Sequence, residues 1–231
     1  MAKIKRSKRY QAAAKLVDPN KSYSIQDAVK VLATLPKPKF DETVGLSVKL
    51  GIDPKQSDQL LRGSFSLPKG LGRSKKVVVF AQGDKAQEAK DAGADEVGSD
   101  ELIKKVEGGW LDFDVAICHP ALMGKVGKLG RVLGPQGKMP SPKSGTVTDA
   151  IGLAVKEFKA GKVEFRNDDG GNLHVPMGKR SFAPEALAEN ITAFLEHLRG
   201  LKPSSSKGAF LMKVVVSSTM SPGIRLIVGE A

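Results

Sequence analysis

The hydrophobic pattern of this chain changes period twice, and that change limits the folds open to it more than any other feature. From Thr43 to Leu50 the residues alternate strictly, with Val44, Leu46, Val48 and Leu50 apolar and Thr43, Gly45, Ser47 and Lys49 between them. Successive strand side chains point to opposite faces, so this is a strand with one buried and one wet face. At Val77-Val78-Val79-Phe80-Ala81 the apolar run is continuous, as in a strand covered on both faces. Alternation then returns in Lys162–Arg166 and Asn172–Pro176, which flank Asn167-Asp168-Asp169-Gly170-Gly171, a hairpin signal. A half-wet sheet and a doubly covered sheet are different layers. The simplest arrangement joins the two chain ends in a split α+β domain with a mainly antiparallel sheet (1–67 and 161–231). Into it is inserted a Rossmann-like three-layer α/β domain (68–160). Two adjacent linkers make a natural hinge.

Helical signals fit between these strands. Ser24 and Asp27 make a capping-box-like pair ahead of Ile25, Ala28, Val29 and Leu32, and the helix predicted to Leu35 ends at Pro36 and Pro38. In the middle of the chain, helices over Asp84–Ala92 and Asp100–Glu107 alternate with a short strand near Glu96-Val97 and a strand over Phe113–Cys118. That grammar describes a mostly parallel, right-handed α/β unit. A helix over Asp149–Ala160 follows. Pro184 opens another with Leu187, Ile191, Phe194, Leu195 and Leu198 on one face, and Pro203–Gly208 is a linker. Strands Leu211–Val216 and Ile224–Val228 complete the pattern.

Charge supplies the first functional constraint. The 231 residues carry 37 Lys+Arg against 25 Asp+Glu, a formal net charge of +12. Such an excess repels itself in a compact fold and is best offset by a polyanion. It is also segregated. Lys3, Lys5, Arg6, Lys8, Arg9 and Lys15 occur with no acid before Asp18, and Lys125, Lys128, Arg131, Lys138 and Lys143 with none from Pro120 to Thr148. From His197 to Gly229, Arg199, Lys202, Lys207, Lys213 and Arg225 again have no acid among them. Segregation builds positive faces rather than a neutral mosaic.

Catalysis finds little support. His119, His174 and His197 fall in separate elements without metal-ligand spacing, and Cys118 and His119, as neighbours on a strand, point to opposite faces. Asp168-Asp169 reads as a turn pair rather than a metal site. The first strand of the middle domain runs into Gln82-Gly83-Asp84, without G-x-G-x-x-G or G-x-x-x-x-G-K-[ST], and Gly134-Pro135-Gln136-Gly137-Lys138 has its glycines at the wrong interval. The expectation is therefore a non-enzyme with no cofactor and no metal. The single cysteine excludes an internal disulfide and fits a reducing cytosol. No apolar run reaches membrane-spanning length and the basic start lacks the core of a signal peptide, so no membrane partner and a cytoplasmic location are expected.

The most informative stretch is Met123-Gly124-Lys125-Val126-Gly127-Lys128-Leu129-Gly130-Arg131-Val132-Leu133-Gly134-Pro135-Gln136-Gly137-Lys138-Met139-Pro140. Read as a helix to about Gly134, it places Leu122, Val126, Leu129 and Leu133 on one face and Lys125, Lys128 and Arg131 on another. So many glycines suggest close backbone approach or irregular local structure. The stretch resembles the signature of the large-ribosomal-subunit protein one family, the mobile-stalk protein beside the tRNA exit site, in its bacterial type. Val17–Lys21, Lys39-Phe40-Asp41-Glu42-Thr43, Leu50–Asp53, Ser66-Leu67-Pro68, Gly93-Ala94-Asp95 and Glu164–Asp168 resemble the family in order along the whole chain.

That resemblance implies a two-domain protein, monomeric when free, that binds a stem-junction of large-subunit (23S-type) rRNA. It further implies a part in moving exit-site tRNA off the ribosome and repression of its own operon mRNA. The family's main RNA contacts map onto Phe40 with Lys39 and Thr43, and onto Ser217, Ser218, Thr219 and Met220. Arg6, Lys8 and Arg9 add support, and Lys125, Lys128, Arg131 and Lys138 form a secondary basic face. Short hydroxyls suit ribose 2′-OH groups and phosphates, while Phe40 and Met220 can exclude water over sugar or base. The sequence departs from the family at Ser221, where Gly is usual. A Cβ there either obstructs close approach of RNA or is accommodated by Pro222-Gly223 turning away.

Overall fold

A computed structural model describes residues 6–206 and 208–228. Lys3, Lys5, Lys207 and Gly229 of the basic segments lie outside the described residues. The chain divides into two compact units, one of Met1–Arg62, Leu67–Gly72 and Phe165–Ala231, the other of Gly63–Ser66 and Arg73–Glu164. Among the described residues the strands form three sheets, one antiparallel, one parallel and one of two strands.

The first unit is built on the antiparallel sheet. Its strands β1 (Thr43–Leu50), β7 (Asn172–Lys179), β8 (Leu211–Ser218) and β9 (Ile224–Leu226) lie in the order β7-β1-β8-β9. Val44, Leu46, Val48 and Leu50 are buried, as the alternation requires, together with Leu173, Val175, Met177, Val214 and Val216. Two helices cover that face, α2 (Ile25–Thr34) and α8 (Pro184–Gly200), contributing Ala28, Val29, Leu32, Leu187, Ile191, Phe194 and Leu198. Ser24 caps α2 through the Asp27 amide at 3.1 Å and donates to the Asp27 carboxylate at 2.7 Å. A short helix that the sequence pattern does not predict, α1 (Lys8–Leu16), precedes it, with Ser7 as N-cap and only Ala13 buried.

The second unit holds a parallel sheet in the order β4-β3-β5, with β3 (Val77–Phe80) between β4 (Glu96–Gly98) and β5 (Val115–Cys118). Its two faces carry separate apolar clusters. Val78, Phe80, Ala116 and Cys118 pack with Leu102, Ile103 and Val106 of α4 (Asp100–Glu107) and with Leu122, Val126, Leu129 and Leu133. Val77, Val79 and Ile117 pack with Ala89 of α3 (Asp84–Asp91) and with Ile151, Val155 and Phe158 of α7 (Ile151–Ala160). The unbroken apolar run at 77–81 follows from this double cover.

The Gly-rich segment is not one helix. A 3-10 turn at Pro120–Leu122, α5 (Met123–Val126), a 3-10 turn at Gly127–Leu129 and α6 (Gly130–Leu133) follow one another. A Cβ at Gly124, Gly127 or Gly130 would meet nothing within 4 Å, and Gly127 and Gly130 have helical dihedrals, so neither close approach within the protein nor backbone strain requires glycine there.

The hairpin expectation needs correction. The turn exists, because Asp168 donates its amide to the Asn172 carbonyl at 2.8 Å and Gly171 donates to Asp168 at 3.0 Å. The flanking strands nevertheless pair elsewhere, β7 with β1 and β6 (Lys162–Arg166) with β2 (Arg62–Ser66). A single bridge, Asn167 to Leu173, is all that joins them.

Candidate nucleic-acid interface

Antiparallel pairing of β1 with β8 makes one strand begin where the other ends, with Val44 opposite Ser218 and Gly45 opposite Ser217. Residues 39–43 and 217–221, far apart in sequence, therefore meet at one end of the sheet. Beyond the ladder, the Thr219 amide donates to the Thr43 carbonyl at 3.1 Å. The Thr43 amide donates to the Thr219 hydroxyl at 3.2 Å, and the Lys179 ammonium donates to the Thr43 hydroxyl at 3.0 Å. Lys179, from the far end of β7, thus adds a cation to the cluster that sequence reasoning did not find.

Two large apolar side chains stand in solvent here, Phe40 at 54% exposure and Met220 at 50%. Neither fills the core, although both are of a size that folding usually buries. Lys39 and Thr219 beside them are also exposed, and Thr43 and Ser217 are partly so. Ser218 requires a correction: it faces inward, only 4% exposed, and its hydroxyl has no protein partner. Strand alternation explains this, because Ser217 and Thr219 occupy the wet face and Ser218 the core face.

Ser221 is accommodated. Its hydroxyl accepts the Ser218 amide at 2.9 Å and donates to the Pro222 carbonyl at 3.0 Å, closing the loop with the side chain turned into it. Two residues on, Gly223 lets the chain pass close to β8, where a Cβ would lie 2.7 Å from Val215 Cγ1.

Beneath the loop lies a buried ion pair that sequence reading passed over. Glu42 is 1% exposed, and its carboxylate contacts the Arg180 guanidinium at 2.6 Å. The other carboxylate oxygen accepts the Met220 amide at 2.9 Å. Arg180 also donates to the carbonyls of Leu32 at 3.0 Å, Pro36 at 3.4 Å and Leu35.

The wet face of the sheet extends this surface. Ser47 bonds His174 across β1 and β7 at 3.1 Å, and exposed Lys49 lies directly opposite exposed Lys213. Arg6 and Lys8 are exposed at the start of α1 and Arg9 is half-buried, with the Arg6 guanidinium 4.9 Å from the Tyr10 ring centroid.

In the second unit the secondary basic residues separate. Lys128 and Arg131 are exposed, whereas Lys125 is held 2.8 Å from Asp100. Lys138 is half-buried: it donates to the Leu111 carbonyl at 2.9 Å and sits 5.1 Å from the Phe113 ring centroid. Catalytic chemistry is no better placed. Cys118 is buried, which pushes its thiol up to about 11, and His119 is turned to the Ala121 amide and to Asp149. Asp168 accepts the Gly170 and Asn172 amides, and hydrogen bonds from Asn172 hold its carboxyl below the usual range.

An exposed aromatic, hydroxyls and lysines thus meet at one sheet end, and comparison with known proteins gives the chain's family. The Ribosomal protein L1p/L10e family model matches residues 31–222. The chain is 56% identical over 222 residues to the large ribosomal subunit protein uL1 of Kosmotoga olearia, covering 96% of each chain. It is 52% identical over 223 residues to that of Thermus thermophilus, covering 96% of this chain and 97% of the relative. Against that of Cutibacterium acnes it is 52% identical over 223 residues, covering 96% of each. Matched across most of its length and more than half identical to relatives nearly end to end, the chain belongs to the Ribosomal protein L1p/L10e family.

Proposed function

We propose that this protein binds large-subunit rRNA at a stem-junction of the ribosomal stalk, through the end of the antiparallel sheet that carries Phe40, Thr43, Ser217, Thr219 and Met220. The observation that carries this reading is the pair Phe40 and Met220, two half-exposed apolar side chains at one sheet end, edged by Lys39, Lys179 and hydroxyls. Splayed RNA bases and riboses offer flat apolar surface beside 2′-OH groups and phosphates, which this mixture matches. Exposed Lys213 and the Ser47–His174 pair on the same wet face support a footprint reaching along the sheet, while the Lys49 ammonium is held on the Gly170 carbonyl.

The family is structural and non-enzymatic, and its members work in the ribosome, in bacteria a cytoplasmic particle. On this reading the two-unit chain is a split RNA-binding domain with a Rossmann-like insertion, monomeric when free. Lys128 and Arg131 on the insertion face exit-site tRNA and assist its release, and the rRNA surface also takes the protein's own operon mRNA as a repressor. Arg6, Lys8 and Arg9 contribute a salt-sensitive term.

The test is binding of a stalk-junction rRNA fragment against a generic duplex of equal length at matched salt. Preference for the junction, lost in Phe40→Ala and Met220→Ala, is expected. Equal affinity for both RNAs would mark a nonspecific binder instead.

A further inference from the structure

We infer that the buried Glu42–Arg180 ion pair is a positioning device that holds both halves of the RNA surface in register, an inference that rests on the rRNA reading above. Burying two charges is costly, and replacing such a pair by apolar residues is often neutral or stabilising, so stability is a weak explanation for it. Its connections supply a better one. One carboxylate oxygen of Glu42 is taken by Arg180 and the other by the Met220 amide, which fixes the backbone of the 219–221 loop. The same guanidinium gathers the carbonyls of Leu32, Leu35 and Pro36 at the C-terminal end of α2, groups that a helix end leaves without partners. From that end the chain runs directly through Lys39 to Phe40. A single side chain, Arg180, therefore ties the segment presenting Phe40 and, through Glu42, the loop presenting Met220.

The pair also has an electrostatic consequence. A carboxylate directly beneath a surface that receives phosphates would repel RNA if uncompensated, and the Arg180 guanidinium at 2.6 Å cancels it. With its side chain only 5% exposed, Arg180 has no path to a phosphate of its own and acts only through its neighbours.

Arg180→Met in the full chain tests this with the stalk-junction rRNA fragment. Affinity should fall about tenfold or more. In the double variant Arg180→Met with Glu42→Gln, which strands no charge, the slope of log affinity against log salt should stay unchanged, because no phosphate contact is removed; a direct phosphate ligand would lower it by about one. Adding Glu42→Gln to Arg180→Met should recover part of the loss, since the amide oxygen still accepts the Met220 amide and the stranded charge is gone. Arg180→Met should lose much less further affinity in a background that already carries both Phe40→Ala and Met220→Ala.

Hydrogen exchange at the Met220 amide reads positioning without RNA and should quicken in Arg180→Met. If that variant folds poorly, Arg180→Lys, which keeps a charge for Glu42 but not the fork to the carbonyls, should show the same acceleration to a smaller degree. Wild-type affinity and unchanged Met220 exchange in a folded Arg180 variant would overturn the inference. Faster exchange in Arg180→Met with no effect of Met220→Ala on binding would instead keep the positioning role and move the RNA site, a failure of the earlier reading.

Discussion

The Thr219 hydroxyl lies 3.2 Å from the amide nitrogen of Thr43 and 3.3 Å from its carbonyl oxygen, gripping the backbone of a residue 176 positions away. The contact continues the β1–β8 ladder by one side chain and joins the two segments assigned to RNA. Thr219→Val should therefore do two things at once: weaken rRNA binding, and cost about 0.5–1.5 kcal/mol of stability through the lost hydrogen bonds. Thr219→Ser should retain the hydrogen bonds and most of the affinity. Urea unfolding alongside RNA titration separates the two effects. A Thr219→Val protein that binds as tightly as the parent would remove this residue from the interface.

Lys138 is tied to the Leu111 carbonyl and the Phe113 ring. Lys138→Ala should lower the melting temperature by a few degrees, consistent with about 1 kcal/mol, and leave rRNA affinity within twofold. A large loss of affinity in a fully folded variant would show that its ammonium contacts RNA after all.

Gly127 has helical dihedrals, φ −54° and ψ −32°, and open space where a Cβ would stand. Gly127→Ala should stabilise the protein by about 0.4–1 kcal/mol by restricting the unfolded chain. Denaturant unfolding checks this. A destabilised variant with that open space would mean the segment needs a conformation that alanine resists.

Cys118 should resist alkylation by iodoacetamide at pH 8. Burial raises its thiol to about 11 and removes it from solvent, so the reactive thiolate is scarce until pH approaches that value or the chain unfolds. Modification at the rate of a free thiol in the native protein would contradict the packing of β5.

Elements with a strong period were legible in the sequence. Val44 to Leu50 alternates because one face of β1 is core, and Val77 to Phe80 does not because both faces of β3 are. Elements held by other means were not. α1 buries little beyond Ala13, so it has no apolar stripe to read, and β2 shows no alternation at all. The turn at Asp168 was readable from Asn, Asp and Gly, but the partners of β6 and β7 are strands far away in sequence, β2 and β1. Charge misled in the same manner. Lys138 counted toward a positive face and is tied to a carbonyl beside a ring, whereas Glu42 and Arg180, which no sequence motif links, are buried together. Phe40 and Met220 drew attention only through family resemblance, because a lone aromatic or methionine reads as core until its exposure is known.

The basic character of the chain also predicts salt sensitivity. If about six phosphates are contacted, affinity should fall on the order of a thousandfold between roughly 50 and 200 mM salt. A flat salt response would contradict a phosphate-based term altogether.

The most direct measurement compares two double variants against the stalk-junction rRNA fragment at one salt concentration. Phe40→Ala with Met220→Ala removes the apolar contacts of the sheet end, and Lys128→Ala with Arg131→Ala removes exposed charge from the other unit. Loss of an aromatic contact to a base is worth about 1–3 kcal/mol, so the first pair should weaken binding by more than about tenfold and the second by less than about threefold. The reverse order, with the Phe40 and Met220 variant binding normally and the Lys128 and Arg131 variant failing, would place recognition on the Gly-rich basic segment and contradict the account.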